Sequence, residues 1–105
     1  MKNVNILGTE YTIVQDNSIV RDGYDGLSEA YGKQILIRDK KKMLDDGDNK
    51  RQKKERYDEV LRHEIIHAFL FESGLDSYNH DEQLVNWIAI QFPKMLKAFK
   101  DVECI

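Results

Sequence analysis

The chain has 105 residues, of which 41% are hydrophobic and 33% are charged. This length and balance predict one globular domain over residues 1–105 and exclude an intrinsically disordered chain. With 16 basic and 19 acidic side chains the formal net charge is -3, which is too balanced to suggest a nucleic-acid-binding protein on global grounds.

The cysteine content and the N-terminal sequence indicate the cellular compartment in which the protein acts. The single cysteine, Cys104, has no partner for an internal disulfide, so nothing requires an oxidising compartment. The N-terminus has no signal-peptide pattern, and no apolar stretch is long enough to span a bilayer. We therefore expect a cytoplasmic protein that does not act in a membrane.

The first 38 residues are predicted to form a sheet. Residues 2–6 and 10–14 alternate apolar and polar side chains around a link that contains Gly8, a pattern typical of a β-hairpin. Residues 15–26 are rich in Asp, Asn and Gly, and we expect a loop there with a short helical turn.

Two further strands are predicted at residues 27–31 and 34–38, joined by a tight link at Gly32 and Lys33. Together with the hairpin they would form a small, mostly antiparallel sheet of three or four strands. Because helical patterns follow this sheet, the expected fold class is α+β.

A charged segment at residues 39–52 separates the predicted sheet from the helical part. We interpret it as a solvated loop. The alternative is a basic surface for nucleic acid over residues 40–56, which the interleaved Asp45, Asp46 and Asp48 weaken.

Residues 53–101 are predicted to be helical. A first helix over residues 53–73 has apolar side chains near a 3.6-residue period and should end at Gly74. A second helix should start near His80, and Pro93 is expected to kink or divide it. The large apolar side chains of this second helix are predicted to lie in the core: Trp87, Phe92 and Phe99.

The first helix carries the pattern His-Glu-x-x-His at His63, Glu64 and His67. Four residues apart on a helix, the two imidazoles share one face with their Cβ atoms about 5–6 Å apart, and both can then bind one Zn²⁺. Glu64 would lie beside the open coordination position and act as general base and acid on zinc-activated water. The apolar surroundings favour a metal site over a chance match, because buried ionisable groups need a partner.

A site of this kind needs a third protein ligand. The extended metzincin pattern is excluded, because Leu70 and Ser73 occupy the positions of its glycine and its third histidine. We favour Glu82, at the start of the second helix, as the third ligand. His80 and Asp81 are the alternatives.

Two neighbours of Glu82 bear on its role. Asn79 is a good N-cap residue, and Glu82, three residues later, would complete a capping box with it. To bind a metal, the Glu82 carboxylate must leave that cap. Asn86 lies one turn beyond Glu82 on the same helix face, and its amide is expected to orient a metal ligand.

The metal-site residues together resemble the gluzincin class of zinc metallopeptidases: His63, Glu64, His67, Glu82 and Asn86. Within that class the likeness is to small phage-associated metallopeptidases and minimal gluzincins. The ImmA/IrrE-type peptidases share a similar Glu-x-x-Ala-Asn pattern. The motifs cover residues 62–92, and this chain has Val85 where the ImmA-type pattern has alanine.

The resemblance implies a truncated zincin fold that binds one Zn²⁺ per chain and hydrolyses peptide bonds in a peptide or protein substrate. It implies His63, His67 and Glu82 as metal ligands and Glu64 as general base. An extended substrate would pair with a strand beside the cleft. The candidate strands are residues 27–31 and residues 34–38.

Two functions agree with this sequence, and they differ in whether the metal site is catalytically active. Tyr78 and His80, on the loop that should approach the metal, are candidate transition-state stabilisers. The alternative function is a catalytically inactive or latent zinc-binding module for interaction or structure. A structural zinc site usually has four protein ligands, so Glu64 together with three good ligands favours the peptidase. The sequence does not determine whether the chain forms a homo-oligomer.

Overall fold

The computed structural model describes residues 2–43 and 50–105, without the side chains of residues 20, 42 and 50–52. Within these ranges four strands come first: β1 (Lys2–Ile6), β2 (Thr9–Gln15), β3 (Gly26–Glu29) and β4 (Gln34–Ile37). Three α-helices follow: α1 (Lys50–Glu72), α2 (Asp76–Asn79) and α3 (Glu82–Asp101). The α+β class and the mostly antiparallel sheet before the helices are confirmed.

The predicted hairpin is formed by β1 and β2, with Leu7 and Gly8 at its turn. Both turn residues have positive φ, 51° and 91°, as a type I′ turn requires. The predicted loop that follows β2 contains a 3-10 helix at Asn17–Asp22.

The order of the strands in the sheet is β1-β2-β4-β3. The outer pairs are antiparallel, and β2 pairs with β4 in parallel. Because β4 has a partner on each side, residues 34–38 cannot receive a substrate strand, and that alternative was wrong. β3 lies at an edge, where a further strand can be added.

One face of the sheet is covered by α1. Its Ala68 is buried with side chains of the first, second and fourth strands: Ile6, Tyr11 and Ile35. Val60, two turns earlier, packs with Ile37 and Met43. The apolar side chains that recur along α1 with a helical period therefore form the face that contacts the sheet.

Charged side chains, buried at one end and partly buried at the other, fix the two ends of α1 against the sheet. Near its start, Asp25 accepts hydrogen bonds from Arg38 Nη1 at 3.1 Å and from Arg56 Nε and Nη2 at 3.1 and 2.9 Å. Near its end, the Glu72 carboxylate accepts hydrogen bonds from three donors: Thr9 Oγ1 at 3.0 Å, Tyr11 Oη at 2.7 Å and Lys33 Nζ at 2.8 Å. Asp25 lies directly before β3, so its hydrogen bonds with Arg56 of α1 position this edge strand on α1.

The boundaries of the charged segment differ from the prediction. α1 begins at Lys50 rather than at residue 53, and a 3-10 helix at Lys40–Lys42 occupies the start of the segment. Residues 44–49 of the predicted loop lie outside the described residues.

Pro93 lies inside α3 without dividing it, so of the two predicted effects, a kink or a division, the division was wrong. A proline has no N–H for the carbonyl four residues earlier, which here belongs to Ala89. Arg62 Nε of α1 donates a hydrogen bond to that Ala89 carbonyl at 2.7 Å. The bond that Pro93 removes is therefore replaced from the neighbouring helix.

The core placement predicted for the aromatic residues of α3 was wrong. Trp87, Phe92 and Phe99 are 53%, 44% and 39% exposed, whereas the residues that α3 buries are Val85 and Ala89. The period correctly marks apolar faces of α3, but α1 covers only part of that apolar surface. Over the described ranges, no helix combines the length and the apolar character needed to cross a bilayer.

Candidate metal centre

Three side chains from two helices meet at one point: His63 and His67 from α1, and Glu82 from the first turn of α3. The two histidine Nε2 atoms are 3.1 Å apart. The Glu82 oxygens Oε1 and Oε2 lie 2.8 Å from His67 Nε2 and 3.1 Å from His63 Nε2. Tetrahedral ligands at about 2.0–2.1 Å from one ion are roughly 3.3 Å apart. This donor set therefore fits one small ion after minor adjustment.

The alternative third ligands have other roles. The Asp81 carboxylate accepts a hydrogen bond from the Leu84 N–H at 3.0 Å and so caps α3. The capping box with Asn79 as N-cap, which the sequence offers as another role for Glu82, was therefore wrong. Glu82 is the first residue of α3, and its carboxylate is not needed for the cap. His80 is 77% exposed at its side chain and lies 3.6 Å from Asp76, outside the donor group.

Amide side chains orient both imidazoles. His67 Nδ1 lies 2.7 Å from Asn79 Oδ1, and His63 forms a side-chain hydrogen bond with Asn86. With Nδ1–H donating to Asn79, the lone pair of His67 Nε2 is directed at the donor group, as metal-binding histidines require. The sequence indicated Asn86, but it missed Asn79, which has the appearance of a helix cap.

Glu64 lies beside the donor group without belonging to it. It is 8% exposed, and the backbone N–H of Ser28 donates a hydrogen bond to its carboxylate. Burial, together with the nearby Glu82 charge, raises the pKa of Glu64 to about 7, although His67 and the Ser28 N–H act in the opposite direction. Burial and the neighbouring His67 lower the pKa of His63. A carboxyl group with a pKa near neutrality can both accept and return a proton.

Gly26 allows the close approach of β3 to α1. A Cβ atom at this position would lie 2.7 Å from Val60 Cγ1 and 3.0 Å from Glu64 Cγ. Any side chain here would displace one of the two. Nothing in the sequence indicates this role, because Gly26 ends a glycine-containing stretch that is predicted to be a loop.

A cavity of about 350 Å³ lies between β3 and the helices and contains His63, Glu64 and His67 in its wall. Ser28 of the edge strand and His80 also line it. Of the two candidate transition-state stabilisers, His80 thus lines the same cavity as the donor group. Tyr78 is absent from the lining of the described cavity and is about half exposed. Tyr24, which no motif in the sequence marks, lines this cavity and an adjoining one of about 160 Å³.

The chain matches no known family model, no curated protein and no solved structure. A fold class alone hosts many unrelated functions. The function must therefore be argued from the chemistry of this site.

Proposed function

We propose that the chain is a zinc metallopeptidase in which His63, His67 and Glu82 bind the metal and Glu64 is the general base and acid. The observation that carries the proposal is the convergence of two imidazoles and a carboxylate within 4.8 Å of one another, with a buried fourth ionisable group beside them. Two nitrogens and one oxygen suit zinc. Three protein ligands leave a coordination position open, as in catalytic rather than structural zinc sites.

The residues of the chain have separate parts in the reaction. When bound, Zn²⁺ acts as a Lewis acid towards the scissile carbonyl and lowers the pKa of water. Glu64 accepts the proton of the attacking water and transfers it to the leaving amine. Asn79 and Asn86 keep the two histidine rings in orientation. His80 lines the cavity and is the candidate to stabilise the developing negative charge.

The substrate in this proposal is an extended peptide that adds a strand to the free edge of β3. The Ser28 N–H that bonds Glu64 belongs to that free edge. Outward-facing groups recur at every second residue of an antiparallel edge strand, so Gly26 also presents backbone groups to the substrate. An edge strand beside the metal-binding helix is also what the resemblance to a truncated zincin implies, and it supports the proposal.

The test is digestion of a peptide library by zinc-loaded wild type and the Glu64→Gln variant. We expect Glu64→Gln to retain zinc and to lose activity by roughly 10²–10⁴-fold, the usual contribution of a general base. Glu10→Gln, which changes an exposed glutamate of β2, is the matched control and should cleave like wild type.

Two outcomes would count against the peptidase. Equal cleavage by Glu64→Gln and wild type would show that the assigned mechanism is wrong. If neither protein cleaves any peptide while both hold zinc, the inactive or latent zinc-binding module is the better description.

A further inference from the structure

The cavity of about 160 Å³ beside the metal centre has no part in the proposed chemistry. It lies at the Gly26 end of β3, and it shares His63 and Glu64 with the cavity that contains the metal centre. An apolar cavity of about 150 Å³ can hold a benzene molecule, so this one has room for a single amino-acid side chain. We call it the side cavity. Its remaining walls include Tyr24, Asp25, Arg56, Glu59 and Val60.

The charged side chains that line the side cavity differ in whether they have partners. Arg56 donates two hydrogen bonds to Asp25 Oδ2, from Nε at 3.1 Å and from Nη2 at 2.9 Å, so its charge is paired. Glu59 is half-buried and has no hydrogen-bond or ion-pair partner within the described part of the chain. It lies four residues before His63 and therefore on the same face of α1. The side cavity thus contains an unpaired carboxylate one helical turn from the metal centre.

The apolar part of the wall suits the stem of a lysine or arginine side chain. Val60 is 7% exposed and Tyr24 is 46% exposed, and both line the side cavity. Lysine and arginine lay their apolar stems along such surfaces, and a carboxylate at the charged end adds a charge-assisted hydrogen bond. An acidic side chain would instead be repelled by Glu59, while the Arg56 guanidinium already has Asp25 as its partner.

We propose that the side cavity binds a lysine or arginine side chain of the substrate and that Glu59 selects it. This inference rests on the proposed peptidase function and names its substrate class, peptides with a basic residue beside the scissile bond. The basic residue must adjoin that bond because the side cavity shares His63 and Glu64 with the metal centre, and successive residues of an extended strand are only about 3.3 Å apart.

Digestion of a library of N-acetylated peptides by zinc-loaded wild type tests the proposal, with the cleaved bonds identified by mass spectrometry. Lysine or arginine should adjoin the cleaved bond. Its kcat/KM should exceed that of the same peptide with glutamine or methionine by roughly 10–100-fold, the usual gain from a hydrogen bond to a charged group. Because acetylation removes the N-terminal amine, the cations offered to the side cavity are side chains.

Variants of two neighbouring acidic residues assign the preference to one carboxylate. Glu59→Gln should still bind zinc and cleave peptides, but its preference for a basic residue should be lost. Asp58→Asn is the matched control, since it changes the net charge equally. Asp58 pairs with Lys54 at 2.7 Å and is absent from the linings of the described cavities, so Asp58→Asn should keep the preference. Unchanged circular dichroism would show that both variants are folded.

The results separate this inference from the peptidase proposal. Cleavage at bonds without a basic neighbour, or the same preference in wild type and Glu59→Gln, would overturn the role of the side cavity and leave the peptidase standing. If no peptide is cleaved, the peptidase proposal fails, and capture of library peptides by immobilised zinc-loaded protein decides the role of the side cavity. Enrichment of lysine and arginine by wild type and Asp58→Asn, but not by Glu59→Gln, would support it, and equal enrichment by all three would overturn it.

Discussion

The hydrogen bond between His67 Nδ1 and Asn79 Oδ1, at 2.7 Å, fixes which nitrogen of the ring is available to a metal. When Nδ1–H donates to Asn79, Nε2 keeps its lone pair on the side of Glu82. Groups that orient metal-binding histidines in this way typically contribute 10–100-fold to metal affinity.

Asn79→Ala should therefore weaken zinc binding by roughly 10–100-fold while the chain stays folded. Competition with a chromophoric chelator measures this affinity. Asn3→Ala, at an exposed position on β1, is the control and should bind zinc like wild type. Equal affinity of the Asn79→Ala and Asn3→Ala variants would remove the orienting role.

The sequence predicted the residues of α1 in the site better than those outside it. His63, Glu64 and His67 are related by the geometry of one helix, so their spacing alone places them together. The position of Asn79 depends on how α2 returns towards α1, which no local pattern encodes. The side chain could therefore be interpreted only by its local preference, which is to cap a helix.

Gly26 offers a way to displace Glu64 without touching a proposed metal ligand. In Gly26→Ala the new Cβ would lie 2.7 Å from Val60 Cγ1 and 3.0 Å from Glu64 Cγ, so β3 or the Glu64 side chain must move. We expect a loss of about 1–3 kcal/mol in the free energy of unfolding. We also expect reduced peptidase activity with zinc retained.

Denaturant titration, zinc analysis and peptide cleavage together measure the Gly26→Ala effect. Gly32→Ala is the matched control, because its Cβ would meet no atom closer than 3.7 Å, and it should leave all three unchanged. Full activity and stability of Gly26→Ala would contradict the close packing of β3 on α1.

At the scale of elements, the end of α1 is held to the β1–β2 hairpin by the Glu72 carboxylate. The Lys33 ammonium, followed by the Tyr11 and Thr9 hydroxyls, holds the pKa of Glu72 below its usual value of 4.5. A carboxyl with a lowered pKa in the folded state stabilises the fold above its unfolded pKa. That stabilisation is lost as the pH falls through the folded value.

Glu72→Gln should consequently lower the urea midpoint at neutral pH, and the difference from wild type should shrink in acid, at about pH 3. Urea titrations at both pH values measure it. Glu103→Gln, at an exposed C-terminal position, should differ little from wild type at either pH. A Glu72→Gln deficit of the same size at both pH values would show that the carboxylate charge is not the cause.

Element types could be predicted from the sequence, whereas element partners could not. The alternation of apolar and polar residues predicted the hairpin and the later strands, and the 3.6-residue apolar period predicted the two long helices. They did not give the parallel pairing of β2 with β4, because strand order depends on contacts between distant segments. For the same reason the sequence could not determine whether residues 27–31 or residues 34–38 form the free edge of the sheet. The contact of Arg62 with Ala89 that accommodates Pro93 is also non-local.

At the scale of the whole molecule, the candidate metal centre lies between the two long helices. Two of its side chains come from α1 and one comes from α3, so an ion bound there would join these two helices. The sequence predicted an apolar α3 but assigned all of its large side chains to the core. A periodic pattern identifies an apolar face, but it does not say whether the same chain or a second molecule covers it.

We infer that two histidines of α1 and the first carboxylate of α3 bind one ion. Metal analysis of protein purified without added zinc is the decisive test of this inference. We predict one zinc per chain in wild type and in Glu64→Gln, and little or none in His67→Ala and Glu82→Ala. Wild type without metal that also fails to take up zinc, or full zinc content in both ligand variants, would contradict the account.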